Sequence, residues 1–139
     1  MKSLPRFNIE TQTNESPHVV ILGAGASIAT TILNPERSEK PLPSMQNLVE
    51  ILDLQWLIDD YGIRYNGENF ESFYDSLVSD GENEELVELL EYAIYIYFEE
   101  LKLPDEATIY DYLVLSLREK DIIATFNWDP FLAQAYIRN

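Results

Sequence analysis

The chain of 139 residues contains no cysteine, so disulfides, thiolate nucleophiles and cysteine-ligated zinc are excluded from its chemistry. Histidine occurs once, and nine lysines and arginines face 25 acidic residues, which gives a formal net charge of -16. A surface of this charge repels phosphate backbones and anionic lipids. We therefore expect neither nucleic acid nor membrane among the partners, and we predict no metal site.

The chain also lacks targeting and membrane signals. No apolar run approaches the roughly 18 residues of a membrane span, and the N-terminus does not show the basic-then-apolar pattern of a secretory signal. We expect a cytoplasmic protein. Residues 1–16 are polar without a periodic apolar face, which predicts a flexible N-terminal arm ahead of one domain over residues 17–139.

A strand-like run leads directly into a turn of small residues, VVILGAGAS at positions 19–27. The four apolar residues predict a strand covered on both faces. Gly23 and Gly25 permit positive φ and a close approach of backbone to a ligand phosphate. Ser27 can cap the next helix, whose first amides favour anions. The alternative is a strand-to-helix turn that binds nothing.

Two conventional nucleotide motifs do not fit this turn. Position 28 is Ile where a dehydrogenase fingerprint has its third glycine, and three prolines within residues 34–43 exclude the second buried strand that would carry a ribose-binding acid. No Gly-Lys-Ser/Thr follows, which disfavours a phosphate loop of the nucleotide triphosphatase type.

A second polar segment follows residues 121–125, an apolar run that predicts another short buried strand. Thr125, Asn127 and Asp129 come at its C-terminal end, where open α/β sheets bind ligands. Each also has a structural alternative. Asp129 before Pro130 is typical of a helix start, and Asn127 is typical of a turn residue in the left-handed conformation.

Taken together, the segments LGAGAS, PLPSMQNLVEIL, NFESFYDSL and DIIATFNWD resemble the sirtuin-like NAD-binding domains, in particular the prokaryotic branch of defence-associated NAD-consuming proteins. The resemblance covers most of the chain from about residue 17. It implies a Rossmann-like parallel sheet and NAD as substrate or ligand. It also implies hydrolysis of NAD to nicotinamide and ADP-ribose in antiviral defence. By resemblance, Asn127 and Asp129 would act at the glycosidic bond, and the dinucleotide would be bound by Gly23, Ala24, Gly25, Ala26, Ser27 and Thr125.

The chain departs from that family at several positions. Phe126 stands where the deacylases carry glutamine, and the cysteines of their zinc ribbon are absent, so deacylation is disfavoured. Arg37 falls where the family has an arginine-bearing cofactor loop, with a solvated loop charge as the alternative. The family's general base is a histidine after the Asn motif. His18 begins the first strand, roughly 16 Å from the ligand edge at about 3.3 Å per residue, so we expect a structural residue there. The base would come from beyond residue 139 or from another chain.

Elsewhere the pattern is helical. Two helices are predicted to begin after the capping residues Ser44 and Asn69. A longer helix is predicted over residues 83–101, with its inward face formed by Leu86, Leu90, Ala93, Tyr97 and Leu101. A fourth is predicted to begin near Thr108 and to end at Arg118 and Lys120, where cations suit the helix dipole. Residues 35–43 and 61–68 are predicted loops. Two strands are fewer than the five or six of a mean sheet. We therefore expect a helix-rich α/β fold whose parallel sheet is incomplete, as in the N-terminal portion of a sirtuin-like domain.

Three classes of function remain open at this stage. The first is an NAD hydrolase, the second a non-catalytic nucleotide-binding module, and the third a truncated interaction fragment. Aromatic residues occupy every face of the predicted helix at positions 91–98. Such an excess fits either a homo-oligomer contact or packing inside a larger domain.

Overall fold

The computed structural model describes residues 16–32 and 40–139. Nearly all of the predicted N-terminal arm, and Arg37, lie outside these residues. The described elements in chain order are β1 (Val19–Leu22), α1 (Ala24–Ile32), α2 (Leu48–Ile51), α3 (Gln55–Asp60), α4 (Phe70–Asp80), α5 (Glu84–Glu99), α6 (Ile109–Ser116), β2 (Ile122–Thr125) and α7 (Phe131–Arg138).

The two predicted strands pair with each other in parallel, Val19 opposite Ile122 and Leu22 opposite Thr125. The described chain is therefore a helix-rich α/β structure with a two-stranded parallel sheet. The prediction that β1 is covered on both faces is wrong. Leu22 is buried, but Val19 and Ile21 are 62% and 68% exposed. The prediction that β2 is buried is also wrong, because Ile123 is only partly buried and the other three residues of β2 are exposed. Successive side chains of a strand point to opposite faces, and among the described elements helices cover only one of them.

The helix after Asn69 forms as predicted. The Asn69 side chain accepts a hydrogen bond of 2.9 Å from the backbone N–H of Glu71, and the helix α4 ends at Gly81, whose φ of 68° is left-handed. The predicted cap at Ser44 is wrong. The N–H and hydroxyl of Ser44 both donate to Oδ1 of Asn47, at 2.7 and 2.8 Å, and these bonds hold residues 44–47 in a turn. Helix α2 therefore begins only at Leu48.

Helix α5 matches the predicted long helix, and its predicted inward face is confirmed at Leu86 and Leu90, but in its C-terminal half the buried positions lie one residue further along the chain. The buried side chains are Leu86, Leu90, Ile94 and Phe98, while Ala93 and Tyr97 are only half-buried. Apolar residues occur at both spacings, so periodicity alone did not fix the phase.

Helix α6 starts after Thr108 as predicted and ends at Ser116, so the prediction that Arg118 and Lys120 close it is wrong. The Arg118 guanidinium instead binds the Asp121 carboxylate at two points, 2.9 Å from Nε and 2.8 Å from Nη2. Because charge-assisted pairs of this kind are strong, Arg118 fixes the start of β2 rather than the end of α6.

The core lies between the helices, where α1 packs against α6, α6 against α7 and α4 against α5. Its largest fully buried side chains are Tyr110, Phe70 and Phe131. No helix among the described residues is long and apolar enough to cross a membrane. The site described next lies where this core meets the carboxyl ends of the strands.

Candidate functional site

The two motifs found in the sequence meet at the carboxyl edge of the sheet. The strands pair in register up to Leu22 and Thr125, and Phe126 N then donates to the carbonyl oxygen of Leu22 at 3.2 Å. This pairing carries Asn127 over the glycine turn, where its Nδ2 lies 3.1 Å from the carbonyl oxygen of Gly23. Residues 104 positions apart are thus in direct contact.

The Asn127 amide forms the centre of a polar group that we call the strand-end cluster, composed of Gly23, Ser27, Tyr110 and Asn127. Nδ2 also approaches Ser27 Oγ at 2.8 Å and the Tyr110 hydroxyl at 3.1 Å. A backbone carbonyl can only accept, so the bond to Gly23 fixes which amide atom is nitrogen. Oδ1 of Asn127 has no hydrogen-bond partner among the described residues, so this oxygen can accept a hydrogen bond from a ligand.

The hydroxyl groups of Ser27 and Tyr110 contact the Asn127 amide nitrogen from the protein interior. Both are buried, and their hydroxyl oxygens lie 2.6 Å apart. Helix α1 begins at Ala24, so Ser27 is its fourth residue and the predicted N-cap role is wrong. Burial raises the pKa of Tyr110, and the hydrogen bonds to Ser27 and Asn127 oppose that rise only in part. The phenol is therefore neutral at physiological pH and acts as a hydrogen-bonding group.

The glycine turn is open to solvent. Gly23, Ala24 and Gly25 are exposed and Ala26 is half-buried. Neither glycine has a positive φ, so the conformational reason expected for them does not apply. A Cβ built at either position meets no atom within 4 Å. The space that a closely approaching ligand would need is therefore present at the turn, next to the N-terminus of α1, where the amide of Ala26 already donates to the Gly23 carbonyl at 3.0 Å.

Thr125 and Asp129 flank Asn127 and shape the loop. Thr125 Oγ1 accepts from Asn127 N at 3.1 Å, and Asp129 Oδ1 accepts from Phe131 N at 3.2 Å, so Asp129 helps to start α7. The helix begins at Phe131, one residue later than predicted. Asn127 does not adopt a positive φ, so its left-handed alternative is wrong.

An acidic aromatic cleft of about 1000 Å³ opens beside the same loop. Phe126, Trp128 and Pro130 form one wall, and α4 and α5 form the other with side chains that include Glu71, Tyr74, Asp75, Glu91, Tyr95, Phe98 and Glu99. The Trp128 and Phe98 rings meet edge to face with centroids 5.9 Å apart. Local sequence patterns do not reveal this cleft, because its walls come from segments that are far apart in the chain.

His18 lies at the opposite end of β1 from the strand-end cluster. Its Nδ1 is 3.0 Å from Nη2 of Arg118, and its backbone N–H donates to Asp121 Oδ1 at 2.8 Å. The Arg118 guanidinium and this N–H hold the pKa of Asp121 well below its usual range. The described histidine thus belongs to a strand-start network, and the described residues contain no group of acids and histidine able to hold a metal ion.

A scan of protein-family models, a search of curated proteins and a search of solved structures each return no match to this chain.

Proposed function

We propose that the chain binds NAD at the carboxyl edge of its sheet, as a sirtuin-like domain would, and hydrolyses it to nicotinamide and ADP-ribose. The observation that carries the proposal is the bond from Asn127 Nδ2 to the Gly23 carbonyl at 3.1 Å. It joins two of the four segments that carry the resemblance, LGAGAS and DIIATFNWD, at the sheet edge where α/β proteins bind nucleotides.

In this proposal the exposed turn of Gly23, Ala24 and Gly25 takes the pyrophosphate. Backbone amides at a helix N-terminus donate to phosphate oxygens, and no side chain of the turn stands in the way. The acidic aromatic cleft is an unfavourable place for the phosphates, because its carboxylates would repel them.

Asn127 and Asp129 would act at the glycosidic bond. Oδ1 of Asn127 accepts from the attacking water or a ribose hydroxyl, since Nδ2 is held by the protein. The Asp129 carboxylate, which has one oxygen on Phe131 N, would hold the carboxamide of the nicotinamide. Water adds to the anomeric carbon as nicotinamide leaves. General-base help, worth a factor of about 10² to 10⁴, would come from a group other than His18.

A second candidate is a non-catalytic NAD-binding module. It is favoured by the engagement of the Asn127 amide in the strand-end cluster and by the position of His18 at the far end of β1. The cytoplasmic location and the role in antiviral defence belong to both candidates as part of the proposal.

The decisive experiment is a calorimetric titration with NAD, paired with chromatography of nicotinamide released over time. Binding with release supports the hydrolase. Binding and thermal stabilisation without release would replace it by the binding module. If NAD neither binds nor raises the melting temperature, both candidates are wrong.

A further inference from the structure

The acidic aromatic cleft combines aromatic walls with carboxylates. Helix α4 contributes Glu71 and Asp75, helix α5 contributes Glu91 and Glu99, and no lysine, arginine or histidine is among the described residues that line it. Tyr95 and Trp128, which both line the cleft, are 60% and 53% exposed, so a large part of each aromatic side chain is accessible to a ligand. Aromatic faces attract cations, and the carboxylates add to that attraction.

One of the chain's own cations has a similar environment at the C-terminal end of α5. The Lys40 ammonium lies over the Tyr97 ring, 5.2 Å from its centroid, and pairs with the Glu100 carboxylate. Tyr95 and Glu99 repeat the combination of a ring and an acid on the cleft side of the same helix, spaced four residues apart.

The spacing of the carboxylates indicates the shape of the cation. At about 1.5 Å rise per residue, Glu91 and Glu99 are about 12 Å apart along α5, and Glu71 and Asp75 are about 6 Å apart along α4. The described residues bring no three acids close enough for a metal ion. A single compact ion would therefore meet few of these charges, whereas a long flexible cation can meet several.

We propose that the cleft binds a linear polyamine, whose ammonium groups alternate with short methylene segments. The ammonium groups pair with the carboxylates of α4 and α5, and the methylenes lie against Tyr95, Phe98 and Trp128. The net charge of -16 draws such a cation toward the protein. This site differs from the proposed phosphate site at the glycine turn and has the opposite charge preference.

The test is calorimetric titration of the full chain with spermidine at physiological ionic strength, with Mg²⁺ as a compact cation and tetralysine as a basic peptide. Spermidine is expected to bind at least tenfold more tightly than Mg²⁺. Tyr95→Leu and Glu99→Gln should each weaken it about threefold, the usual size of an exposed cation–π or ion-pair contribution.

Matched controls lie on the same helix outside the cleft. Tyr92 is 65% exposed and Glu88 is exposed, and neither lines the cleft, so Tyr92→Leu and Glu88→Gln should leave spermidine affinity unchanged. Gly25→Val should also leave it unchanged, which separates this proposal from NAD binding. Equal losses in the controls would overturn the proposal in favour of unspecific charge attraction. Binding of tetralysine without spermidine would overturn it in favour of a basic peptide.

Discussion

Asn127 Nδ2 donates to the carbonyl oxygen of Gly23 across 3.1 Å and so joins the segment after β2 to the start of α1. Two buried hydroxyls, those of Ser27 and Tyr110, complete the environment of the same nitrogen. Asn127 therefore joins two distant segments of the fold and also contacts the open glycine turn directly. Its two roles can be separated by measuring stability and chemistry on the same variants.

Asn127→Ala should lower the free energy of unfolding by about 1–3 kcal/mol, because buried acceptors lose their donor. It should also abolish nicotinamide release while leaving most of the NAD affinity. Asn127→Asp should destabilise more than alanine does, since either carboxylate oxygen would face the Gly23 carbonyl. Urea unfolding and nicotinamide chromatography measure the two effects. Unchanged release from Asn127→Ala would refute the catalytic role.

Tyr110→Phe supplies a control within the strand-end cluster, because it removes one partner of the Asn127 amide but no group that faces the turn. A double-mutant cycle with Asn127→Ala should give a coupling energy of about 0.5–3 kcal/mol, as for residues in one hydrogen-bond network. Additive stability losses would show that the two side chains act separately.

Gly25 is expected to matter for ligand binding and not for folding. A Cβ there meets no atom within 4 Å, and glycine inside a helix costs about 0.5–1 kcal/mol relative to alanine. Gly25→Ala should therefore keep or raise the melting temperature while weakening NAD binding, and Gly25→Val should abolish binding. Calorimetry showing native affinity for NAD in a folded Gly25→Val variant would remove the phosphate site from the turn.

Gly81 provides the opposite control. Its φ of 68° at the end of α4 is left-handed, so Gly81→Ala should cost about 1 kcal/mol of stability. NAD affinity should not change, because α4 does not contribute to the glycine turn. Together the two alanine variants separate a backbone requirement from a ligand requirement.

Much of the secondary structure could be predicted from local pattern, as the strands at Val19–Leu22 and Ile122–Thr125 show. The burial of those strands could not be predicted from the same local pattern. Continuous apolar runs predict buried strands, yet Ile21 and Ile122 are 68% and 55% exposed, because coverage depends on which other elements pack there. Ile94 and Phe98, the buried residues in the C-terminal half of α5, were missed for a related reason, since apolar residues there occupy every face of the helix.

The site was predicted in part. The polar residues after the second strand indicated Asn127, and the small-residue turn after the first strand indicated Gly23, which Asn127 contacts. Nothing in the sequence indicated Tyr110, because a tyrosine in an apolar helix is typical of a core residue. Its hydroxyl partners lie 83 and 17 residues away in sequence, so only the packing of α6 against α1 and the strand-end loop reveals its role.

Moderate salt should raise the melting temperature. The 25 acids and nine bases leave a net charge of -16, and a Debye length of about 10 Å at 0.1 M salt screens the resulting repulsion. The pairs of Arg118 with Asp121 and of Arg138 with Asp111 should weaken little, because both acid side chains are almost fully buried. Calorimetric scans that show a steady fall in melting temperature from low to moderate salt would mean that paired charges dominate over repulsion.

Asp111 should make folding stability depend on acid pH. Its side chain is 5% exposed and accepts from Thr108 N at 2.6 Å and from Arg138 Nε at 2.6 Å. The Arg138 guanidinium foremost, and then Thr108, hold the pKa of Asp111 far below its usual range. Since the folded pKa lies below the unfolded value of about 3.9, this carboxylate stabilises the fold above that value, and the contribution is lost as the pH falls below it.

Asp111→Asn tests this assignment. At neutral pH it should cost about 2 kcal/mol, because it removes a buried charge partner of Arg138. From about pH 5 downward its stability should fall less steeply than that of the wild type, because the titrating carboxylate is gone. Glu88→Gln, which removes an exposed acid on α5, should retain the wild-type slope. Urea unfolding at a series of pH values measures the free energy of unfolding of the wild type and of both variants. Parallel pH profiles for Asp111→Asn and the wild type would show that other carboxyls govern the acid response.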